Sequence, residues 1–166
     1  MKRRLFTVGA LASVALAGCA GRNGLPGYTG PEVTSVVVNK SARKLYLLHG
    51  DDVLRDYNVG LGFTPLGHKM FEGDGRTPEG SYLINRRNPR SEFYLSLGIS
   101  YPNTTDRARA QAMGKSPGGD IFIHGQPLTY KPKKTDWTAG CIAVQNEEIA
   151  EIYTMVRDGT LITLRA

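Results

Sequence analysis

Ile121-Phe-Ile-His-Gly-Gln126 and, one loop later, Asp136-Trp-Thr-Ala-Gly-Cys-Ile-Ala143 are the stretches on which the reading of this chain turns. Each contains a short apolar run beside glycine, the pattern of a buried strand that meets a turn. Each also carries one reactive side chain: His124 ends the first run and Cys141 begins the second. An imidazole that takes a thiol's proton makes the sulfur a strong nucleophile. Unaided, a thiol with a pKa near ~8.5 is only a few per cent thiolate at neutral pH. His124 is suited to lower that value and later to protonate a leaving amine. Gly140 lets the chain turn sharply and lets a carbonyl compound approach the backbone. Amides near Gly140 and Cys141 are then suited to hold an oxyanion. The competing reading makes Cys141 a small buried hydrophobe, a common fate of cysteine. On residue types alone both readings stand.

The surrounding chain reads as strands and turns. A length of 166 residues suggests one domain, and 40% hydrophobic with 22% charged residues is ordinary for a globular protein. Twenty glycines and nine prolines favour strand-and-loop architecture over a helical bundle. Strands are expected over 33–39, 44–49, 53–59, 81–85, 93–97, 120–124, 141–145 and 160–164, with a hairpin turn at Gly50-Asp51-Asp52. Helices are expected over 105–113, capped by Thr104 or Thr105, and from Asn146, as its cap, to a stop at Gly159. The second has Ile149, Ile152, Tyr153 and Val156 at helical spacing. The glycine-dense segment 60–80 cannot be a helix and lacks the strand-then-helix setting of a phosphate-cradling loop. It reads as a functional loop that displays Lys69 and Arg76. His49 reads as a turn histidine.

The N-terminus reads as a leader. Lys2, Arg3 and Arg4 precede an apolar run from Leu5 to Ala17, too short to span a bilayer as a mature helix. The run ends in Leu16-Ala17-Gly18-Cys19, which resembles the bacterial lipobox. That resemblance implies cleavage after residue 18, lipidation of Cys19 and a membrane anchor made stable by several acyl chains. It also removes the disulfide partner that an exported protein would otherwise offer Cys141. Ala20 rather than Asp after Cys19 leans towards the outer membrane, with the protein facing the periplasm. Residues 19–31 are rich in Gly and Pro and read as a flexible tether before the domain of 32–166. The formal net charge of +6 includes the three leader cations, so the mature chain carries +3. With no basic run interleaved with aromatics, nucleic acid is not an expected partner. A carboxylate-bearing polymer is a better match for that mild excess.

His124-Gly125, a loop, and Thr138-Ala-Gly140-Cys141-Ile142 resemble the catalytic motif of the L,D-transpeptidase (YkuD-like) family. The upstream Arg76-Thr-Pro-Glu-Gly80-Ser-Tyr82 is similar to that family's Thr-Pro-x-Gly-aromatic segment. The resemblance covers the chain from about Val33 to its end. It implies a mostly-β sandwich with one or two short helices and a site in a groove. It makes Cys141 the nucleophile, His124 the base, Gly125 the carbonyl that orients the imidazole, Gly140 and Cys141 the oxyanion amides, and Thr138 a supporting hydroxyl. The implied reaction is acyl transfer at the diaminopimelate residue of peptidoglycan tetrapeptide stems, through a thioester and without a cofactor or metal. Lys69 and Arg76 become candidate clamps for stem carboxylates, and Tyr101 and Trp137 candidate groove walls.

Two departures from the family pattern leave the outcome of the thioester open. Ala139 stands where the commonest form has histidine, and Ala143 where it has a polar or basic residue. Asp136-Trp-Thr-x-Gly-Cys141 is similar to a subgroup in which some members cut rather than form bonds at diaminopimelate. A hydrolase, amidase or carboxypeptidase, on the same fold is therefore the first alternative. A zinc peptidase using His49, His68, His124 and Cys141 lacks the close spacing of strong metal motifs. A non-catalytic wall-binding lipoprotein is the alternative of another class.

Overall fold

A computed structural model describes residues 24–166. The leader, Cys19 and the first part of the tether lie outside the described residues. The chain order is β1 (Ser35–Asn39), β2 (Lys44–His49), β3 (Asp52–Asn58), β4 (Gly80–Ser91), β5 (Tyr94–Ile99), α1 (Thr104–Ala112), β6 (Phe122–His124), β7 (Ile142–Ala143), α2 (Asn146–Met155) and β8 (Leu161–Arg165).

Alternation builds the first half of the sheet. Val36 and Val38 of β1, Leu45 and Leu47 of β2, and Ile162 and Leu164 of β8 are buried, while their sequence neighbours are not. A period of two sends every second side chain to the same face, so these strands share one apolar surface. β1 lies between β2, antiparallel, and β8, parallel, although β8 is last in the chain. The full order is β3-β2-β1-β8-β4-β5-β6-β7. The long β4 joins the halves: residues 80–83 pair with β8 and residues 84–91 with β5.

The sheet closes on itself. Gly60, just beyond β3 at one edge, exchanges two 2.8 Å backbone hydrogen bonds with Ala143 in β7 at the other. Phe63 N–H then donates to Thr138 O at 2.9 Å. Both halves contribute to one core, and Ile123 and Ile142 from the far edge join Val36 and Leu47 in it. The expected mostly-β sandwich with short helices is the architecture found. α2 places Ile149 and Ile152 in that core and packs on β5 and β6.

Several boundaries differ from those read in the sequence. β4 continues through Arg86-Arg87-Asn88-Pro89-Arg90, where charge and proline suggest a loop. This half of β4 is a hairpin arm whose exposed side chains need no apolar pattern. α1 is capped by Asn103, whose side chain accepts from Asp106 N–H while Asp106 accepts from Asn103 N–H. Gln145, not Asn146, occupies the cap of α2, and Glu148 closes it reciprocally. That helix ends at Met155, before Gly159, which instead turns the chain into β8 with φ 87°. β7 is only two residues long, because Val144 and Gln145 already lead into α2.

The glycine-dense loop 60–79 has neither helix nor strand, as its composition demands. Buried polar contacts hold it instead. Lys40 is fully buried, and its ammonium donates to Gly67 O (2.6 Å), Thr77 O (2.9 Å) and Glu79 Oε1 (2.8 Å). All three of its donors are satisfied, which a buried lysine requires. Lys69 pairs with Asp74 at 2.8 Å, both almost fully buried. Desolvation pushes the Asp74 carboxyl up. The Lys69 ammonium and the amides of Met70, Arg76 and Phe71 outweigh it, holding the group below its usual range.

Candidate active site

His124 owes its position to its neighbours on β6. Ile123 pairs with Leu97 on one side and with Ile142 on the other, and all three are fully buried. Alternation then turns the next side chain, His124, to the opposite face of the sheet. The imidazole is 2% exposed. Its Nδ1–H donates to Gly125 O at 2.7 Å. A carbonyl only accepts, so Nδ1 carries the proton and Nε2 keeps its lone pair for a thiol. The Phe93 ring lies 4.5 Å away and the Trp137 ring 5.5 Å, centroid to centroid. Burial lowers the His124 pKa, and the Gly125 hydrogen bond only partly offsets this, so the ring is neutral at pH 7.

Gly125 is required by close approach. A Cβ there would stand 2.5 Å from Asn146 Oδ1 and 2.8 Å from Phe93 O. The absent side chain lets its N–H donate to Phe93 O at 3.0 Å. The carbonyl that orients the imidazole is thereby held by backbone contacts.

The turn before Cys141 is built by three groups. Asp136 accepts from Leu61 N–H at 3.0 Å and binds the Arg43 guanidinium, with one contact of 2.8 Å. Thr138 Oγ1 accepts from Gly140 N–H at 3.1 Å and donates to Cys141 O at 2.7 Å. Gly140 has φ 137°, and a Cβ on it would stand 2.7 Å from Arg76 O. Both the left-handed backbone and the lack of space require glycine there. The Gly140 amide is engaged by Thr138, which corrects its expected role in holding an oxyanion. Among the described hydrogen bonds none uses the Cys141 N–H, which is the amide left for that role.

The half-buried Cys141 Sγ–H points to Asp120 O at 3.4 Å. Desolvation pushes the thiol up to about 11; the Phe122 N–H and the Lys69 charge pull the other way, and Asp120 adds to the rise. The resting pair is therefore a neutral thiol and a neutral imidazole, not a preformed thiolate–imidazolium pair.

Cys141 and His124 line one cavity of about 380 Å³, with Phe93 and Phe122 as apolar walls and Arg90 and Glu92 from the end of the β4–β5 hairpin as its charged rim. Trp137 lines a second cavity of about 520 Å³, with Gln126, Tyr130 and the lysines 131, 133 and 134, so its indole forms part of the wall behind His124. The other expected contact residues lie elsewhere. Tyr101 is buried against the Tyr82 ring, and its hydroxyl donates to Pro117 O at 3.0 Å, so it is core and not groove wall. Lys69 is buried and paired with Asp74, so it cannot clamp a carboxylate; it acts on the thiol only through its field. Arg76 contributes backbone: its N–H donates to Asp74 Oδ1 at 3.0 Å and its carbonyl packs on Gly140. It does not line the Cys141 cavity. Arg90 and Glu92 carry no sequence signal beyond charge in an apparent loop.

Among the described residues no three His, Cys, Asp or Glu side chains cluster as a metal site. His68, named only in the disfavoured zinc-peptidase alternative, accepts from Glu79 N–H at 3.0 Å and lies 3.0 Å from Asp106. His49 sits at the end of β2, exposed, against Glu32 O.

The family model described as YkuD, L,D-transpeptidase catalytic domain, matches residues 34–164. The Escherichia coli (strain K12) protein YafK, whose name assigns it provisionally to the L,D-transpeptidases, is 31% identical over 116 residues; the match takes in 68% of this chain and 42% of YafK. This chain thus spans less than half the length of that curated relative. Among solved structures, the helical cell shape determining protein Pgp2 from Campylobacter jejuni aligns with TM-score 0.62 and 28% identity, over 84% of this chain and 50% of Pgp2. Bdellovibrio bacteriovorus Bd1075 aligns with TM-score 0.55 and 26% identity, over 80% of this chain and 47% of its own. An L,D-transpeptidase from Mycobacterium smegmatis shares the fold at TM-score 0.54 and 15% identity, over 81% of this chain and 59% of its own.

Proposed function

Because the chain belongs to the L,D-transpeptidase catalytic domain family, we propose that it is a cysteine acyltransferase acting at the diaminopimelate residue of peptidoglycan tetrapeptide stems. The observation that carries this reading is the shared cavity of Cys141 and His124, with the imidazole held by Gly125 so that Nε2 is the free base. His124 Nε2 takes the thiol proton as Sγ attacks the carbonyl between diaminopimelate and D-alanine. The oxyanion that forms accepts from the Cys141 N–H. The imidazolium then protonates the D-alanine nitrogen as the peptide bond breaks, leaving a thioester on Sγ. An incoming amine, or water, gives its proton to His124 and resolves the thioester.

Two outcomes follow from one thioester. An amine from a second stem, or from a lysine of an anchored protein, gives a crosslink or an attachment; water gives hydrolysis. Ala139 and Ala143 favour keeping hydrolysis as the second reading, since small residues stand where the family's commonest form has polar ones. Purified protein incubated with defined muropeptides, with products read by mass, tests both. A 3-3 crosslinked dimer supports transfer. Shortened stems alone support hydrolysis. No change in either sinks the proposal, as does equal turnover by C141A.

The proposed setting is the periplasmic face of a membrane, with Cys19 lipidated and residues 19–31 as the tether, of which Leu25 and Tyr28 pack against the core. The C19A variant should leave the membrane fraction of expressing cells. Retention of C19A in that fraction would rule out the lipid anchor.

A further inference from the structure

Arg90 and Glu92 flank Ser91 at the end of the β4–β5 hairpin, and both line the cavity that holds His124 and Cys141. The order exposed, buried, exposed for the three residues turns the two charged side chains to the same, outer side. Ser91 is tucked in, with its Oγ accepting from Phe93 N–H at 3.1 Å. The hairpin backbone is held as well: Arg90 N–H donates to Asn88 Oδ1 at 3.0 Å and Leu128 N–H to Glu92 O at 3.3 Å. The side chains themselves are unengaged. Among the described residues neither the Arg90 guanidinium nor the Glu92 carboxylate has a hydrogen bond or an ion pair. The remaining charged group on the rim, Asp120, is already bound by Arg86 at 2.7 Å. Among the described residues Arg90 is the one cation that lines this cavity.

A cation and an anion on one rigid hairpin, both free, are complementary to a molecule that carries a carboxylate and an ammonium on one carbon. A guanidinium takes a carboxylate with two parallel hydrogen bonds, and a carboxylate takes an ammonium. We infer that Arg90 and Glu92 form a recognition site for a zwitterionic α-amino acid head group, the free second centre of a diaminopimelate side chain, beside the Cys141 nucleophile. This rests on the reading of the protein as an enzyme of peptidoglycan stems. The site selects stems by their third residue: diaminopimelate presents both charges, its amidated form loses the carboxylate, and lysine presents only an ammonium. Arg90 takes over the carboxylate contact that neither buried Lys69 nor Arg76 makes in this cavity.

The test measures binding to the C141A protein, so that turnover does not intervene. By calorimetry, the diaminopimelate tetrapeptide should bind at least tenfold more tightly than its side-chain-amidated form or the lysine tetrapeptide. R90Q should remove that preference, weakening only the diaminopimelate peptide, while R90K keeps part of it. E92Q should weaken the diaminopimelate peptide but not a form acylated on its free amine. Equal affinities for the three peptides in the C141A protein overturn the inference. So does an R90Q that weakens all three equally, the behaviour expected if Arg90 holds the terminal D-alanine carboxylate. An unchanged rate of Cys141 alkylation in the R90Q single variant verifies that the reactive pair is intact. Selective binding without turnover of muropeptides by the wild-type protein would leave this site standing and sink the acyl-transfer reading instead.

Discussion

At the scale of single residues, burial sets the protonation of Cys141 and His124. Desolvation raises the thiol and lowers the imidazole, so both are uncharged at rest. The sign follows directly. A thiol pushed up to about 11 stays protonated through neutral pH, so its alkylation by iodoacetamide should climb steadily from pH 7 towards 11. A plateau reached below pH 7 would show a preformed ion pair and refute this account. His124 gives a second check. Its pKa lies below the usual imidazole value chiefly because of burial, and Trp137 forms part of the wall behind it. W137A should let water in and move the pKa up towards 6.5, readable by NMR titration of the ring protons. Gly140 is the least replaceable residue of the turn. G140A meets Arg76 O at 2.7 Å in a left-handed backbone, so it should cost at least about 1–3 kcal/mol and misplace the thiol. The measurement is denaturant unfolding alongside the alkylation rate.

At the scale of elements, the site is a junction between β6, β7 and the loop 60–79. The loop lacks regular hydrogen bonding, and ion pairs replace it. Breaking a buried pair from one side leaves an uncompensated charge, so D74N should destabilise by about 3–5 kcal/mol at neutral pH. The Asp74 carboxyl is depressed in the fold, so its contribution is complete above the unfolded pKa near 3.8 and fades as pH falls through the folded value. The deficit of D74N should accordingly shrink below pH 3.8, and a deficit independent of pH would show that packing, not charge, holds the loop. Behind β6 and β7 the support is apolar. Ile123 and Ile142 are paired across β6 and β7 and fully buried, so I142A should cost about 2–5 kcal/mol in unfolding experiments.

At the scale of the whole molecule, an eight-stranded sheet is bent until its edges meet, and Cys141 sits at that seam. Asp136 stitches it by gripping Arg43 from the β1–β2 turn and the Leu61 amide beyond β3. D136A should loosen Leu61 first, with faster amide exchange there and at Thr138 than in β1 and β8. Uniform exchange changes would mean that Asp136 serves the fold at large and not the seam. Charge recognition is also a molecular property. Lys40, Arg43 and Lys69 are engaged in holding the fold, and the hairpin furnishes Arg90 to the cavity.

Local pattern by itself determined much of this protein. Period-two alternation specifies β1, β2 and β8, because each buries one face, and glycine density rules out regular structure in the loop 60–79. The motifs around His124, Thr138, Gly140 and Cys141 name the family, because close backbone approaches there admit few residue types. Charge could not be read in the same way. A lysine or arginine looks alike in sequence whether its partner is buried aspartate or solvent, so Lys69 leaves its expected place at the site, and Arg90 lines the cavity, only when the chain folds. The Gly140 amide is a different case, since Thr138 takes it across only two residues, a local turn that the Thr-x-Gly spacing permits. Tertiary structure alone decided which groups share a cavity with the thiol, because the β4–β5 hairpin, β6 and the turn before Cys141 lie far apart in the chain and meet only when it folds.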